Sequence, residues 1–442
     1  MQTLIAVTQW IADNIFAQPA FLIGAIVLIG LLVQRKSVND VVSGTTKAII
    51  GFLLITLGAG IISAALEVFQ PLWSEVFGFG QPNLGEYAGF ETFSRDFGSA
   101  VALAMTFGFL LNVVLARLSP FKYIYLTGHM MFWTTAIFAG IVVHTLGLEA
   151  GSVNTAGLVL FLSVIMGLYW TLQPAVVQPF MRRVTGGDDL ALGHTSASVA
   201  ILGAVAGKYL GNKEQDTEKI QLPKNVAFLR DTYVIIALVM GALYLIGALI
   251  VSTHTTQAAQ DLIGRAGDQS FAVFALLEGL KFAAGIAVVL YGVRMFIGEI
   301  VPAFRGIATK IVPNAKPALD CPVVYNFAPN ATIIGFLGAF LAALVWLLVL
   351  GQGVGYIFVP TMIVIFFHSA TAGVFGNSTG GIRGAFLGGV ITSTLVAWGQ
   401  YLMVNTLLSS TIPDTALFAA DSDMFILGPI VAALARVFGF MF

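Results

Sequence analysis

Apolar runs of bilayer length recur from one end of this chain to the other, and few folds accommodate such a pattern. A helix needs roughly 20 apolar residues to cross the hydrocarbon. Eleven candidate runs fall at about 19–33, 48–66, 98–117, 125–145, 154–173, 231–252, 271–298, 331–350, 355–375, 384–408 and 424–441, with a shorter apolar segment at 190–208. Inside lipid every backbone polar group must be satisfied within the protein, so such runs form helices. The composition agrees: 58% of residues are hydrophobic and 10% charged, against roughly 25% charged in soluble domains. The 48 glycines suit close helix approach in a membrane. The expected fold is an all-α polytopic membrane protein with about eleven transmembrane helices and re-entrant hairpins.

Other classes drop out on composition. A net charge of −1 without a basic run excludes nucleic acid as a partner. The single cysteine, Cys321, excludes an intramolecular disulfide and a CxxC metal site. No GxxxxGK[ST] phosphate loop is present, so neither a cofactor nor a metal is expected. The pairs Gly186-Gly187 and Gly380-Gly381 read as hairpin tips. Residues 1–18, with Leu4, Val7, Ile11 and Ile15 at helical spacing and no signal-peptide features, read as an amphipathic helix lying in the interface.

Basic residues give the orientation, because Lys and Arg collect in cytoplasmic loops. Arg35, Lys36, Arg117, Lys122, Arg182, Arg183, Arg305, Lys310, Lys316 and Arg383 fall on one side if the spans alternate. The opposite loops carry Glu67, Glu75, Glu86, Glu91, Glu149, Asp414, Asp421 and Asp423. This divides the chain into a first membrane half at 19–208, a charged cytoplasmic loop at 209–230, a second half at 231–408, and an outer loop with the last span at 409–442. The two halves then run in opposite directions, as in an inverted repeat, which places a substrate site near mid-membrane where broken helices meet. The charged loop is a solvated connector and the largest surface a soluble partner could touch.

Four polar interruptions break the apolar pattern: Leu126-Thr127-Gly128-His129, Leu192-Gly193-His194-Thr195, Pro317 through Thr332, and Phe367-His368-Ser369-Ala370-Thr371 running on to Asn377. Irregular backbone at membrane depth persists where protein buries it or where it lines a watery cavity. Asp320 leads the candidates, since a carboxylate beside a membrane span is costly unless it serves a pathway or a site; the alternative is an interfacial residue that caps the following segment or pairs with Lys316. Tyr325, Asn326 and Asn330 add groups suited to a polyol. His129 and His194 can donate, accept and take up a proton near neutral pH, or can be packed and hydrogen-bonded to a neighbouring helix. His368 is a weaker candidate; His144 and His254 belong to the outer boundary. Glu278 and Lys281 read as an intrahelical ion pair, Glu299 and Arg294 stay open between site and anchor, and Cys321 reads as a small packed side chain.

The motifs Leu126 to Phe132, Gly292 to Phe296 with Glu299, Pro313 followed by Leu319-Asp320-Cys321, Tyr325 to Ala331, and Ala370 to Phe375 resemble the ascorbate-type enzyme IIC of the bacterial phosphotransferase system. The resemblance extends from about Arg35 to Arg383. It implies a homodimer of eleven-span protomers in the bacterial cytoplasmic membrane, each with a dimerising scaffold and a substrate-carrying core that moves like an elevator. It implies uptake of L-ascorbate and its phosphorylation by the phosphocysteine of a separate enzyme IIB, charged in turn by enzyme IIA. Ending at Phe442 without a soluble domain, the chain is expected to receive both in trans.

By the same resemblance His129, His194 and Asp320 stand at the family's site positions, Gly58 and Gly60 keep a glycine turn, and Tyr87 keeps an aromatic contact. Asp320 and His194 are the candidate bases, and Asp320 is favoured for lying at the cytoplasmic end. Trp133 and Thr195 depart from the pattern, standing where the family has glutamines. Losing two amides leaves ascorbate as first choice, with a related pentitol or acidic sugar as the alternative. A different class, an ion-coupled secondary transporter that uses Asp320 and the histidines as coupling groups, would deliver its sugar unmodified.

Overall fold

The computed structural model describes residue 10, residues 19–76, residue 78, residues 88–220, 232–310 and 312–356, residue 358 and residues 362–442. Tyr87, the interfacial helix except for Trp10, and the loop residues 221–230 lie outside these described residues.

The protein is a helical multi-pass membrane protein. Among the described residues five helices are long and apolar enough to cross a bilayer: Asp96–Leu118, Thr155–Thr185, Phe271–Val288, Pro329–Val354 and the stretch Val364–Leu407. Three shorter apolar helices accompany them, Met130–Leu146, Ala197–Leu210 and Ile236–Val251. On Thr155–Thr185 the row Leu160, Val164, Leu168, Leu172 and Val176 is exposed, while Leu162, Met166, Trp170 and Val177 are buried. A helix apolar on its outer face as well as its inner one is made for lipid.

Two runs reach further than hydropathy indicates. The helices Val38–Val76 and Phe271–Lys310 have 39 and 40 residues, about 60 Å at 1.5 Å per residue. They pack on each other together with Pro19–Val33 and Thr232–Val251, and Lys47 Nζ lies 3.5 Å from Glu299 Oε1, which settles Glu299 as an ion-pair partner. The Glu278–Lys281 pair forms at 2.7 Å, as expected. Gly58 and Gly60 sit inside the uninterrupted helix Val38–Val76, so the expected glycine turn is absent there.

A second group consists of Ala197–Leu210, Pro329–Val354 and Met362–Leu402. The last of these is two helices meeting at Gly381, whose φ of 59° is left-handed. A Cβ on Gly388 would lie 2.5 Å from the carbonyl oxygen of Ala372, whereas in a straight helix the two residues would be about 24 Å apart. The chain therefore turns back at 380–381 into an antiparallel hairpin, at the tip expected from the glycine pair.

The all-α expectation needs correcting. Three short strands, β1 (Tyr123–Tyr125), β2 (Ala191–Leu192) and β3 (Lys316–Leu319), form a parallel sheet in the order β1-β3-β2. Each strand is two to four residues long, too short to show an alternating pattern.

The charged loop is also more than a solvated connector. Its first part, residues 211–220, is laced to the hairpin tip: Asn212 N donates to Gly380 O at 2.9 Å and Ile382 N to Gln215 O at 2.8 Å. Asn377 accepts from Thr217 N and donates to Asp216. Glu218 Oε1 accepts from Asn330 N at 2.9 Å and Ala331 N at 3.1 Å, capping Pro329–Val354 from outside that helix. Beside this strap an open cleft of about 400 Å³ is lined by residues that include Asp216, Lys219 and Arg383.

Although the Glu218 residue as a whole is exposed, desolvation of its carboxyl against the start of Pro329–Val354 pushes it up, and its hydrogen bonds only partly offset this. With the folded-state value raised, the contribution to stability is present below the ordinary carboxylate range and is lost as pH rises through the folded value. Glu218→Gln keeps an acceptor oxygen without a charge. The thermal midpoint of the variant relative to wild type is expected to rise between pH 4 and pH 8; a difference that falls or stays flat over that range contradicts this reading.

Candidate functional site

The sheet gathers the polar motifs. Tyr123 pairs with Lys316 and Tyr125 with Ala318, while Leu192 pairs with Leu319. Because the strands are parallel, their C-terminal ends lie at one edge, and there the chain continues into Thr127-Gly128-His129, Gly193-His194 and Asp320. Backbone bonds extend the pairing one step, from Leu126 N to Ala318 O at 2.9 Å and from Gly193 N to Leu319 O at 2.7 Å. The Thr127 hydroxyl donates to Gly193 O. Glycine is required at 193 because a Cβ would stand 2.5 Å from the Ala318 carbonyl oxygen.

His194 and Asp320 meet at this edge. His194 Nε2 lies 3.6 Å from Asp320 Oδ1, with side chains 5% and 14% exposed. The amide of Ser196 donates to His194 Nδ1 at 3.2 Å. The Ser196 hydroxyl lies 3.0 Å from the same nitrogen; with Nδ1 accepting, the proton of the neutral ring sits on Nε2, the nitrogen facing Asp320. Asp320 Oδ1 also accepts from the Cys321 amide at 2.7 Å. The geometry is a carboxylate oxygen held by one backbone donor, with the His194 ring facing it at charge-pair rather than hydrogen-bond distance.

The alternative partner for Asp320 is engaged elsewhere. Lys316 is ion-paired with Asp188, which also takes Arg182 Nε at 2.7 Å. Partial burial pushes the Asp188 carboxyl up, but hydrogen bonds from Arg182, Lys316 and Gln178 outweigh it and hold the group well below the usual carboxylate range.

His368, the weaker sequence candidate, lies against His194 with ring centroids 5.0 Å apart and an interplanar angle of 62°. Its Nε2 is 3.2 Å from Asp421 Oδ2, and its Nδ1 is 2.6 Å from Ser422 Oγ. Asp421 and Asp423 read in the sequence as outer-loop acids, yet both are buried. Asp423 N donates to Thr195 O at 2.9 Å. Its carboxylate accepts from Ser198 N at 2.7 Å and from Tyr169 OH at 2.8 Å. Acidic residues before a helix are the one available signal, since a carboxylate at a helix N-terminus is favoured.

The other candidates scatter. Thr195 is fully buried and its hydroxyl donates to Asp421 Oδ2 at 2.6 Å. Trp133, half-buried on Gly128–Leu146, lies edge-on to Phe132 one turn after His129, on the same face. The side chain of His129 lies outside the described residues. Tyr325 turns its hydroxyl inward to Phe367 O at 2.8 Å and to Cys321 Sγ at 3.2 Å; Asn326, half-buried, follows on the same turn. The Asn330 amide is tied to Thr217 O at 3.1 Å, so it serves the strap. His144 bonds Ser410, away from this edge, and His254 bonds the buried Glu75 at 2.9 Å.

His194, Asp320 and Cys321 each bring a ligand atom to within 4.8 Å of the others. The composition would suit a soft divalent ion, but the Ser196 amide that meets Nδ1 at 3.2 Å favours a proton over a metal on Nε2. As arranged, the set is one of hydrogen-bonding groups.

Multi-pass helices around a buried histidine–carboxylate edge define a membrane protein with an internal polar site. The chain belongs to the family of PTS system sugar-specific permease components, EIIC-GAT, whose pattern matches residues 14–423. It is similar to the ascorbate-specific PTS system EIIC component of Mycoplasma pneumoniae (strain ATCC 29342 / M129 / Subtype 1), 29% identical over 423 residues. That alignment covers 86% of this chain, and the chain spans 64% of the relative's length.

Proposed function

We propose that this chain takes up L-ascorbate through a bacterial cytoplasmic membrane and presents it to the phosphocysteine of a separate enzyme IIB, recharged by enzyme IIA. The 3.6 Å approach of His194 Nε2 to Asp320 at a common strand edge carries the reading. The family match supplies the sugar-permease class, and the named relative supports ascorbate. A related pentitol or acidic sugar is the alternative substrate, because Trp133 and Thr195 replace amides.

In this reading Asp320 is the base. The terminal hydroxyl of the sugar attacks the donor phosphorus, the phosphorus–sulfur bond breaks, the thiolate leaves with the electron pair, and the hydroxyl proton passes to Asp320. His194, with Nδ1 occupied as an acceptor, donates from Nε2 and orients the carboxylate or the sugar. Phosphoryl transfer depends mainly on position and charge, and a well-placed base contributes about 100- to 10,000-fold. His129, Trp133, Tyr87 and Asn326 complete the proposed substrate-facing set, while Thr195 acts through its hold on Asp421; Tyr325, bonded inward, and Gly58 and Gly60, inside a continuous helix, fall outside it. The membrane halves 19–208 and 231–408 form an inverted repeat within an eleven-span protomer, and a homodimeric scaffold lets the substrate-carrying core move as an elevator.

Product chemistry tests the proposal. Vesicles containing the protein, phosphoenolpyruvate and the soluble phosphoryl carriers are expected to accumulate radiolabelled ascorbate as a phosphate ester. Accumulation of unmodified sugar, driven by an ion gradient without those carriers, would establish an ion-coupled transporter instead.

A further inference from the structure

Against the His194 ring packs a second histidine–carboxylate pair, His368 and Asp421, that the proposed chemistry leaves unused. We infer that His368 and Asp421 are positioning residues which hold His194 in the orientation that serves Asp320. The inference rests on the function proposed above.

Three separate elements meet at this point. His368 comes from the first arm of the hairpin, Asp421 and Ser422 from the start of Ser422–Val437, and His194 from the turn after β2. The His368 ring stands edge to face on His194, its two nitrogens held by Asp421 at 3.2 Å and Ser422 at 2.6 Å. The same oxygen of Asp421 takes the hydroxyl of Thr195, the residue following His194, at 2.6 Å. Asp421 thus grips His194 twice: through the ring packed on it, and through the chain beside it. A rotation of the His194 ring would have to displace a side chain that is 2% exposed and fixed at both nitrogens.

The arrangement is expensive for a purely structural contact. Asp421 is 2% exposed, and its Oδ1 is buried without a hydrogen-bond partner. Leaving a buried acceptor unsatisfied is destabilising, and more so when it is charged. An asparagine would bond Thr195 at lower cost. What the carboxylate adds is a strong, directional acceptor for His368, and through it a fixed wall for His194.

The test separates binding from turnover. Purified wild type, Asp421→Asn and His368→Phe are compared for ascorbate affinity by calorimetry, and for maximal phosphorylation rate in proteoliposomes with the soluble carriers. The phenylalanine preserves a ring against His194 and removes both nitrogens; the asparagine preserves shape and removes charge. Both variants are expected to bind the sugar within about 3-fold of wild type and to phosphorylate it about 10- to 100-fold more slowly, as positioning losses do. The double variant should be no slower than the slower single one, because the two residues act as a unit. His368→Gln, which restores a donor toward Asp421, should recover part of the rate.

Unchanged rates in both single variants overturn the inference, as do affinity and rate that fall together without rescue by glutamine. Should Asp421→Asn fail to fold, Thr195→Val tests the second grip, with the same split expected and an unaltered rate counting against it. If wild type itself makes no phosphate ester, the proposed function fails and takes this inference with it.

Discussion

Asp320→Asn is expected to lower the maximal rate of sugar phosphorylation by about 100- to 10,000-fold while leaving a folded protein that still binds its substrate. Asparagine keeps an oxygen for the Cys321 amide that now donates at 2.7 Å, so the turn after β3 retains its local bond. What is removed is the negative charge and with it the capacity to accept a proton at that position. His194→Ala should behave differently. It takes away the donor facing Asp320 at 3.6 Å and the ring beneath His368, so affinity and rate fall together. Phosphorylation assays in proteoliposomes, with calorimetry on the same preparations, give both quantities. An Asp320→Asn protein that phosphorylates at the wild-type rate would remove Asp320 from the role of base.

The second large effect is expected at Gly193. A side chain there would start 2.5 Å from the Ala318 carbonyl oxygen, so Gly193→Val forces β2 away from β3. Overpacking of this kind costs about 1 to 3 kcal/mol. The backbone bond from Gly193 N to Leu319 O, and the one Thr127 makes to Gly193 O, are strained with it, at about 1 kcal/mol each. The thermal midpoint should drop, and sugar binding should weaken by more than 10-fold, since His194 and Asp320 leave the same two strands. Gly187→Val is the matched control: nothing lies within 4 Å of its Cβ position, so stability should change by less than about 0.5 kcal/mol. Equal behaviour of the two variants would mean that the sheet does not hold the site.

Some of this molecule is legible without coordinates. Hydrocarbon thickness fixes the length of a span, so the apolar runs at 154–173 and 331–350 mark helices directly, and Gly380-Gly381 between two such runs marks a reversal. Asp320 and His194 stand out because polar residues in irregular backbone are costly next to a membrane. The sheet is not legible, because each strand is two to four residues long and its partners are distant in sequence. For the same reason His368 looked weak: only the packing of the hairpin against the turn after β2 brings its ring to His194.

Charge counting misplaced Asp421 and Asp423. They follow an apolar stretch and precede a helix, as loop acids do, and only the docking of that helix start on Thr195 and Ser198 buries them. Tyr325 and Asn330 show the converse. Their polar groups suggested a sugar, but the tertiary fold spends them on Phe367 and Thr217.

The central claim, that the strand edge carrying His194 and Asp320 is where the sugar binds, is tested most directly by titrating purified protein with ascorbate and a panel of pentitols. Wild type is expected to bind one member of that panel saturably, with the affinity reduced at least 10-fold in His194→Ala. Equal binding of that sugar by wild type and by His194→Ala would place the site elsewhere in the molecule.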